Sequence, residues 1–272
     1  MKLEGKVVIV AGAGPGIGEG TVKVLASEGA DIAIVDINEA EAKRIAEDVK
    51  KAGRKAIAIK ADLTDEEECK KVVKATLDSL GKIDGLANIA GGLGSIFLSK
   101  DSHAFIDLTA AEWDQVFKLN LMTCVFMCKA IAPYFMERKN GKIVNTASVC
   151  TTMYGEQEMA YCCSKAAVQH FSKSLAVTLA PYNINVNILN PGVVYTPGFH
   201  VKYMAQQRRL HPEQFVGKTD KEYMESIDLP LIPLKRFQTP EDMGHMVAFL
   251  LSDEAENITG QTNYVTGGVY MG

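Results

Sequence analysis

Val7-Val8-Ile9-Val10-Ala11-Gly12-Ala13-Gly14-Pro15-Gly16-Ile17-Gly18 decides how the rest of the chain reads. An apolar run of strand length enters a glycine-rich turn, and a helical pattern follows at once. Glycines at 12, 16 and 18 let backbone N–H groups approach a diphosphate at a helix N-terminus. The spacing is G-x-x-x-G-x-G, not G-x-G-x-x-G, so taken alone it also reads as a turn that permits tight strand–helix packing.

Outward from this turn, short apolar runs alternate with amphipathic stretches, as in successive βαβ units. Strands are expected at Val7–Ala11, 31–35, Ala56–Lys60, 85–89, 142–147, 184–189 and Thr262–Val265, with a helix over 161–179. Asn38 with Glu41, Thr64 with Glu67 and Thr109 with Glu112 have capping-box spacing, Thr239-Pro240-Glu241-Asp242 opens another helix, and Gly29, Gly53 and Gly81 fall where helices should stop. The pattern predicts an α/β fold: a single-domain, doubly wound, Rossmann-type parallel sheet of about seven strands with helices on both faces. One domain spans 1–272. Two stretches, 91–108 and 193–239, exceed ordinary loop length and follow strands at the carboxyl edge, where such sheets bind ligands. The second is expected to be an inserted substrate lid.

The composition, 272 residues with 47% hydrophobic and 23% charged, allows a full core. A net charge of -4 and a pI near 5.8 supply no broad positive field, which argues against nucleic acid or an anionic membrane as the main partner. The first residues read as neither a signal peptide nor a spanning helix, so the expected location is cytoplasmic. Six cysteines lack the paired spacing of a zinc site and read as reduced thiols, Cys124 and Cys128 packing as small hydrophobes. No metal is expected.

Asp36 closes the second expected strand, within reach of an adenine ribose, where a carboxylate accepts hydrogen bonds from both hydroxyls and repels a 2′-phosphate. No Arg or Lys stands beside it, so NAD is favoured over NADP; an exposed strand-end acid is the plain alternative. Tyr161 and Lys165, in Tyr161-Cys162-Cys163-Ser164-Lys165, share a helix face. A nearby ammonium favours a phenolate, so Tyr161 reads as a proton acceptor for alcohol oxidation and a donor for ketone reduction. A surface tyrosine packed on a lysine stem has the same spacing.

Asn145-Thr146-Ala147-Ser148 ends a strand with a hydroxyl, Asn88-Ile89-Ala90-Gly91 ends another, and Asn120 lies in Lys118-Leu119-Asn120-Leu121. Together with the glycine turn and Tyr161/Lys165, this order resembles the short-chain dehydrogenase/reductase family along essentially the whole chain. The family's Thr-Gly opening is Ala11-Gly12 here, its N-N-A-G is Asn88-Ile89-Ala90-Gly91, and its Val-Asp-Gly-Gly is Val265-Thr266-Gly267-Gly268. The resemblance implies that Ser148 bonds the substrate oxygen, Tyr161 transfers the proton, and Lys165 holds the nicotinamide ribose and lowers the tyrosine pKa. Asn120 would position a water linking Lys165 to solvent. On the coenzyme side it implies Gly12, Gly16, Ile17 and Gly18 at the diphosphate, Asp62 and Leu63 near the adenine, and Asn88 steadying the central strand. Pro191, Val194 and Thr196 would lie at the carboxamide.

A set of apolar residues after Thr196, among them Phe199, Tyr203, Met204, Leu210, Phe215, Tyr223 and Met224, suggests a lid that, with Met153 and Tyr154, encloses a mainly apolar or cyclic secondary alcohol or ketone. The same side chains would serve equally to hold the lid to its own domain. Arg208, Arg209 and His211 read as a solvated face. The family implies a homotetramer, and the broad apolar run at 121–131 suits a helix with a core on one side and a partner on the other. Two other readings remain open: a non-catalytic NAD-binding regulatory or scaffold protein, and a family reductase acting on another bond type.

Overall fold

The computed structural model describes residues 1–94, 105–152, 158–196, 204–205, 207–209 and 212–271. Seven parallel strands form one sheet: β1 Val7–Ala11, β2 Asp31–Asp36, β3 Ala56–Lys60, β4 Gly85–Asn88, β5 Gly141–Thr146, β6 Ile184–Pro191 and β7 Thr262–Val265, in the order β3-β2-β1-β4-β5-β6-β7. Ala11 pairs with Asn88, Asn88 with Asn145 and Thr146 with Leu189. Gly12, Ile89, Ala147 and Asn190 therefore reach one common edge. The strand order reverses direction between β1 and β4, which opens a crevice there.

Helices α1 Ile17–Ser27, α2 Glu39–Lys51, α3 Glu66–Leu80, α4 Ala110–Phe117, α5 Thr123–Arg138, α6 Met159–Leu179, α7 Asp220–Asp228 and α8 Pro240–Leu251 complete the main elements. Alternation along the strands feeds two cores. Val8, Val10, Ile32 and Ile34 pack with α1, α2 and α8, while Ile9, Val35, Leu86 and Val186 pack with α3, α5 and α6. α1 and α8 approach closely because Gly20 faces Pro240 and Gly244 faces Val24; a Cβ on Gly244 would lie 2.9 Å from Val24 Cβ.

The helix ends follow the expected chemistry, with one correction. Asn38 Oδ1 accepts from Ala40 and Glu41, and Thr109 and Thr239 form reciprocal capping boxes. The cap of α3, however, is Asp65 and not Thr64: its carboxylate accepts from Glu67 N at 2.8 Å and Glu68 N at 3.2 Å. Thr64 is drawn back instead, donating through both its N–H and its hydroxyl to Asp62 Oδ1.

The 110–138 segment is continuously helical through a π turn at Lys118–Met122 and is long and apolar enough to cross a membrane. Its Met127, Cys128, Ile131 and Phe135 are nonetheless fully buried against the sheet. Within 193–239, Met204, Phe215, Tyr223 and Met224 bury one another, the Phe215 and Tyr223 rings stacking at 3.7 Å. Each finds apolar partners within its own segment, in keeping with the alternative that these side chains hold the segment together. Met153, Tyr154, Phe199, Tyr203, Leu210, His211 and the 95–104 part of the first long loop lie outside the described residues.

Candidate active site

β5 ends at Thr146, so Ser148 emerges at the carboxyl edge beside the first turns of α6, which carry Tyr161 and Lys165 on one face. All three line a single cavity of about 400 Å³. Lys165 is only 3% exposed; its Nζ lies 5.8 Å from the Tyr161 ring centre and donates to Thr146 O at 2.9 Å. The Ser148 hydroxyl stands close enough to Tyr161 to favour its ionised form. Proton donor, hydroxyl and cation thus converge, which is the geometry a substrate oxygen needs.

Burial sets the electrostatics. It drives the Tyr161 phenol above its ordinary value, reinforced by Cys150 and opposed by Ser148, and it pulls the Lys165 amine down to about 8. The sequence reading had the lysine acidifying the tyrosine. In the protein without its coenzyme the net pull on the phenol is upward, with desolvation its largest cause.

Asn120 stands in the π turn, where the widened helix lets its carboxamide reach across to the β4 loop. Its Oδ1 accepts from Gly92 N at 2.8 Å, and its Nδ2 donates to Gly92 O at 2.8 Å and Val116 O at 3.0 Å. Gly91, at φ 151°, is the residue that allows the assembly: a Cβ there would lie 2.6 Å from Asn120 Oδ1 and 2.9 Å from Lys165 Nζ.

A second cavity, of about 450 Å³, runs from Asp36 to the first and shares Ile17, Ile89, Gly91 and Thr196 with it. Gly12, Gly16, Ile17, Gly18, Asp36, Asp62 and Leu63 line this part, and Pro191, Val194 and Thr196 line the catalytic end. Gly12 and Gly18 are required by the turn itself, since a Cβ on Gly12 would meet Ala90 Cα at 2.5 Å and one on Gly18 would meet Gly12 O. Gly16, at φ 114°, begins α1 without a side-chain cap. The Ile17 and Gly18 amides have no main-chain acceptor among the described residues. That cradle fits a diphosphate. Asp36 accepts from Gly14 N and Asn38 N, each at 2.8 Å, which fixes its carboxylate toward the cavity. No Lys or Arg is among the described residues lining this part. The residues present therefore fit a nicotinamide dinucleotide.

Asn88 is set apart from that group. Its Nδ2 donates to Asn145 Oδ1 at 2.8 Å and to Cys128 Sγ at 3.4 Å, tying β4 to β5 and α5 from within the core, and its side chain lines neither cavity. Asn145 in turn donates to Ser172 at 2.9 Å.

The structure adds groups the sequence reading passed over. Thr146 supplies the lysine's acceptor through its backbone, which residue type does not reveal. Cys150 and Glu158 line the catalytic cavity, as does Asp228 from the end of α7. Glu158 stands three residues before Tyr161, a spacing that could have drawn notice. Nothing local marks Asp228. Arg208 pairs with Asp220 and lies 4.6 Å from the Phe215 ring centre, as suits a partly solvated face.

Residues 6–207 match the short chain dehydrogenase family. Oxidoreductase UcpA of Salmonella typhimurium is 35% identical over 98% of this chain and 95% of its own length. Galactitol 2-dehydrogenase of Agrobacterium fabrum is 34% identical over the full length of both chains. Among solved structures, 7α-hydroxysteroid dehydrogenase complexed with NADH and 7-oxo glycochenodeoxycholic acid superposes with a TM-score of 0.83 at 28% identity, covering 98% of this chain and 95% of that one. Likeness of that extent identifies the protein as a member of the short-chain dehydrogenase family, an oxidoreductase of Rossmann-type fold.

Proposed function

We propose that the protein is an NAD-dependent dehydrogenase/reductase that interconverts a secondary alcohol and a ketone. The observation that carries this reading is the convergence of Ser148, Tyr161 and Lys165 on one cavity continuous with the cleft that holds Asp36. When bound, the nicotinamide supplies hydride acceptance or donation. Ser148 donates to the substrate oxygen, and Tyr161 takes or gives that oxygen's proton. Lys165 holds the ribose and keeps positive charge near the phenol, and Asn120 holds the backbone turn facing the lysine. Asp36, with exposed Ile37 beside it, supports NAD over NADP, as does the NADH in the hydroxysteroid dehydrogenase neighbour.

Ile17, Ile89, Leu93, Val149 and Val194 in the cavity support a mainly apolar or cyclic substrate body. The galactitol 2-dehydrogenase relative supports additional hydroxyls on it. Partly exposed Val125 and Phe126 on α5, with Val177 77% exposed on α6, support a homotetramer, to be tested by sedimentation at micromolar concentration. Six free cysteines suit a reducing cytoplasm. The deciding experiment is NADH formation over an alcohol panel with Tyr161→Phe beside the parent. Turnover should fall roughly 10²–10⁴-fold in the variant; undiminished turnover in it overturns the reading.

A further inference from the structure

The Ser148–Tyr161–Lys165 group fixes where the reacting carbinol must lie, so the remaining walls of the 400 Å³ cavity must meet the rest of the substrate. Two carboxyls stand in those walls: Glu158, at the N-cap of α6, and Asp228, at the C-terminus of α7. Neither carboxyl group has a hydrogen bond or ion pair acting on it among the described residues. Burial alone raises both above the ordinary carboxylate range, with no cation offsetting it. Leaving such groups unpaired is destabilising, so their presence in a catalytic cavity points to a ligand that pairs them.

We propose that Glu158 and Asp228 form a hydroxyl-binding subsite, so that the substrate is a secondary alcohol carrying at least one further hydroxyl remote from the carbon that is oxidised. This rests on the alcohol/ketone reading and names its substrate class. Hydroxyl suits the site better than ammonium for a chemical reason. A hydroxyl donates to a carboxylate and accepts from a protonated carboxyl, so it can bond these groups in either state; an ammonium only donates. A cationic substrate would also share the cavity with the Lys165 amine. Besides Ser148, Tyr161, Lys165, Thr146, Cys150 and Thr196 the other described lining residues are apolar or glycine, which leaves these carboxyls as the acidic recognition points of the cavity.

The test uses the NAD-loaded enzyme with cyclohexanol, trans-cyclohexane-1,4-diol and trans-4-aminocyclohexanol. The diol's kcat/KM should exceed cyclohexanol's by about tenfold or more, the worth of one hydrogen bond to a charged group. Glu158→Gln and Asp228→Asn should each erase most of that advantage, chiefly through the KM for the diol, so that the ratio of diol to cyclohexanol kcat/KM falls toward one. A merely structural role would depress both substrates together and overturns the proposal. Equal rates for diol and cyclohexanol, or preference for the amine, also overturn it. Saturation-transfer NMR separates the two readings. Diol binding that needs Glu158, with no alcohol oxidised, upholds the subsite and defeats the reaction; cyclohexanol oxidised with no diol preference upholds the reaction and defeats the subsite.

Discussion

The Lys165 amine donates a 2.9 Å hydrogen bond to the main-chain oxygen of Thr146. Thr146 is the last residue of β5, and Ser148 follows just beyond it, so one bond locks the cation of α6 to the strand end that delivers the hydroxyl. The distance between the groups is thereby set by sheet–helix packing and not by a mobile loop.

This buried amine has a sign that stability can read. Its folded pKa, about 8, lies below the ordinary 10.5, so between those values the unfolded chain binds the additional proton and stability rises with pH. Below about 8 the desolvation penalty is fully present. Lys165→Met should therefore be more stable than the parent at pH 7, by about 1–3 kcal/mol, with the advantage shrinking as pH climbs from 8 toward 10.5. Urea titrations across that range check it, and a constant difference would contradict it.

Coenzyme choice is expected to turn on Asp36 and its neighbour. Asp36→Ser combined with Ile37→Arg removes the repelling carboxylate and adds a partner for a 2′-phosphate at a residue already 65% exposed. The ratio of kcat/KM for NAD to that for NADP should drop at least roughly a hundredfold, about 2.7 kcal/mol. Steady-state kinetics with both coenzymes provides the measurement.

Asn88 should matter to stability more than to coenzyme contact. Asn88→Ala strips Asn145 Oδ1 of its 2.8 Å donor in a fully buried setting. A loss of about 1–3 kcal/mol is expected in urea unfolding, with the KM for NAD changed less than about threefold.

Glu158 should show the opposite trade. Its folded pKa is raised by burial above the ordinary 4.5, so the penalty on the charged form is present at neutral pH and disappears as pH falls below 4.5. Tyr161, Cys150 and Cys162 face it, and none is a cation. Glu158→Gln should raise stability by about 1 kcal/mol at pH 7.5, or about 2–4 °C in Tm, with the gain lost near pH 4. Thermal melts at the two pH values distinguish this from a general packing effect.

Much of the fold was legible because its determinants are local. Short continuous apolar runs, caps such as Thr109 and Thr239, and helix-ending Gly29, Gly53 and Gly81 act within a few residues of themselves. The α3 cap was misread because Thr64 and Asp65 compete for the role, and the contest is settled by Asp62 reaching back to Thr64. Tyr161 and Lys165 were readable because helix geometry alone makes them neighbours.

By itself, then, the sequence determined the parallel sheet, the glycine turn at α1, the acid at the end of β2 and the tyrosine–lysine pair, all features whose physics is spacing along the chain. Only the tertiary structure decided the Thr146 anchor of Lys165, the Asn120 clamp on Gly92, the withdrawal of Asn88 into the core, the upward pull on the Tyr161 phenol and the meeting of Glu158 with Asp228 in one cavity. Those depend on desolvation and on contacts between elements far apart in the chain, and neither exists until the layers have packed.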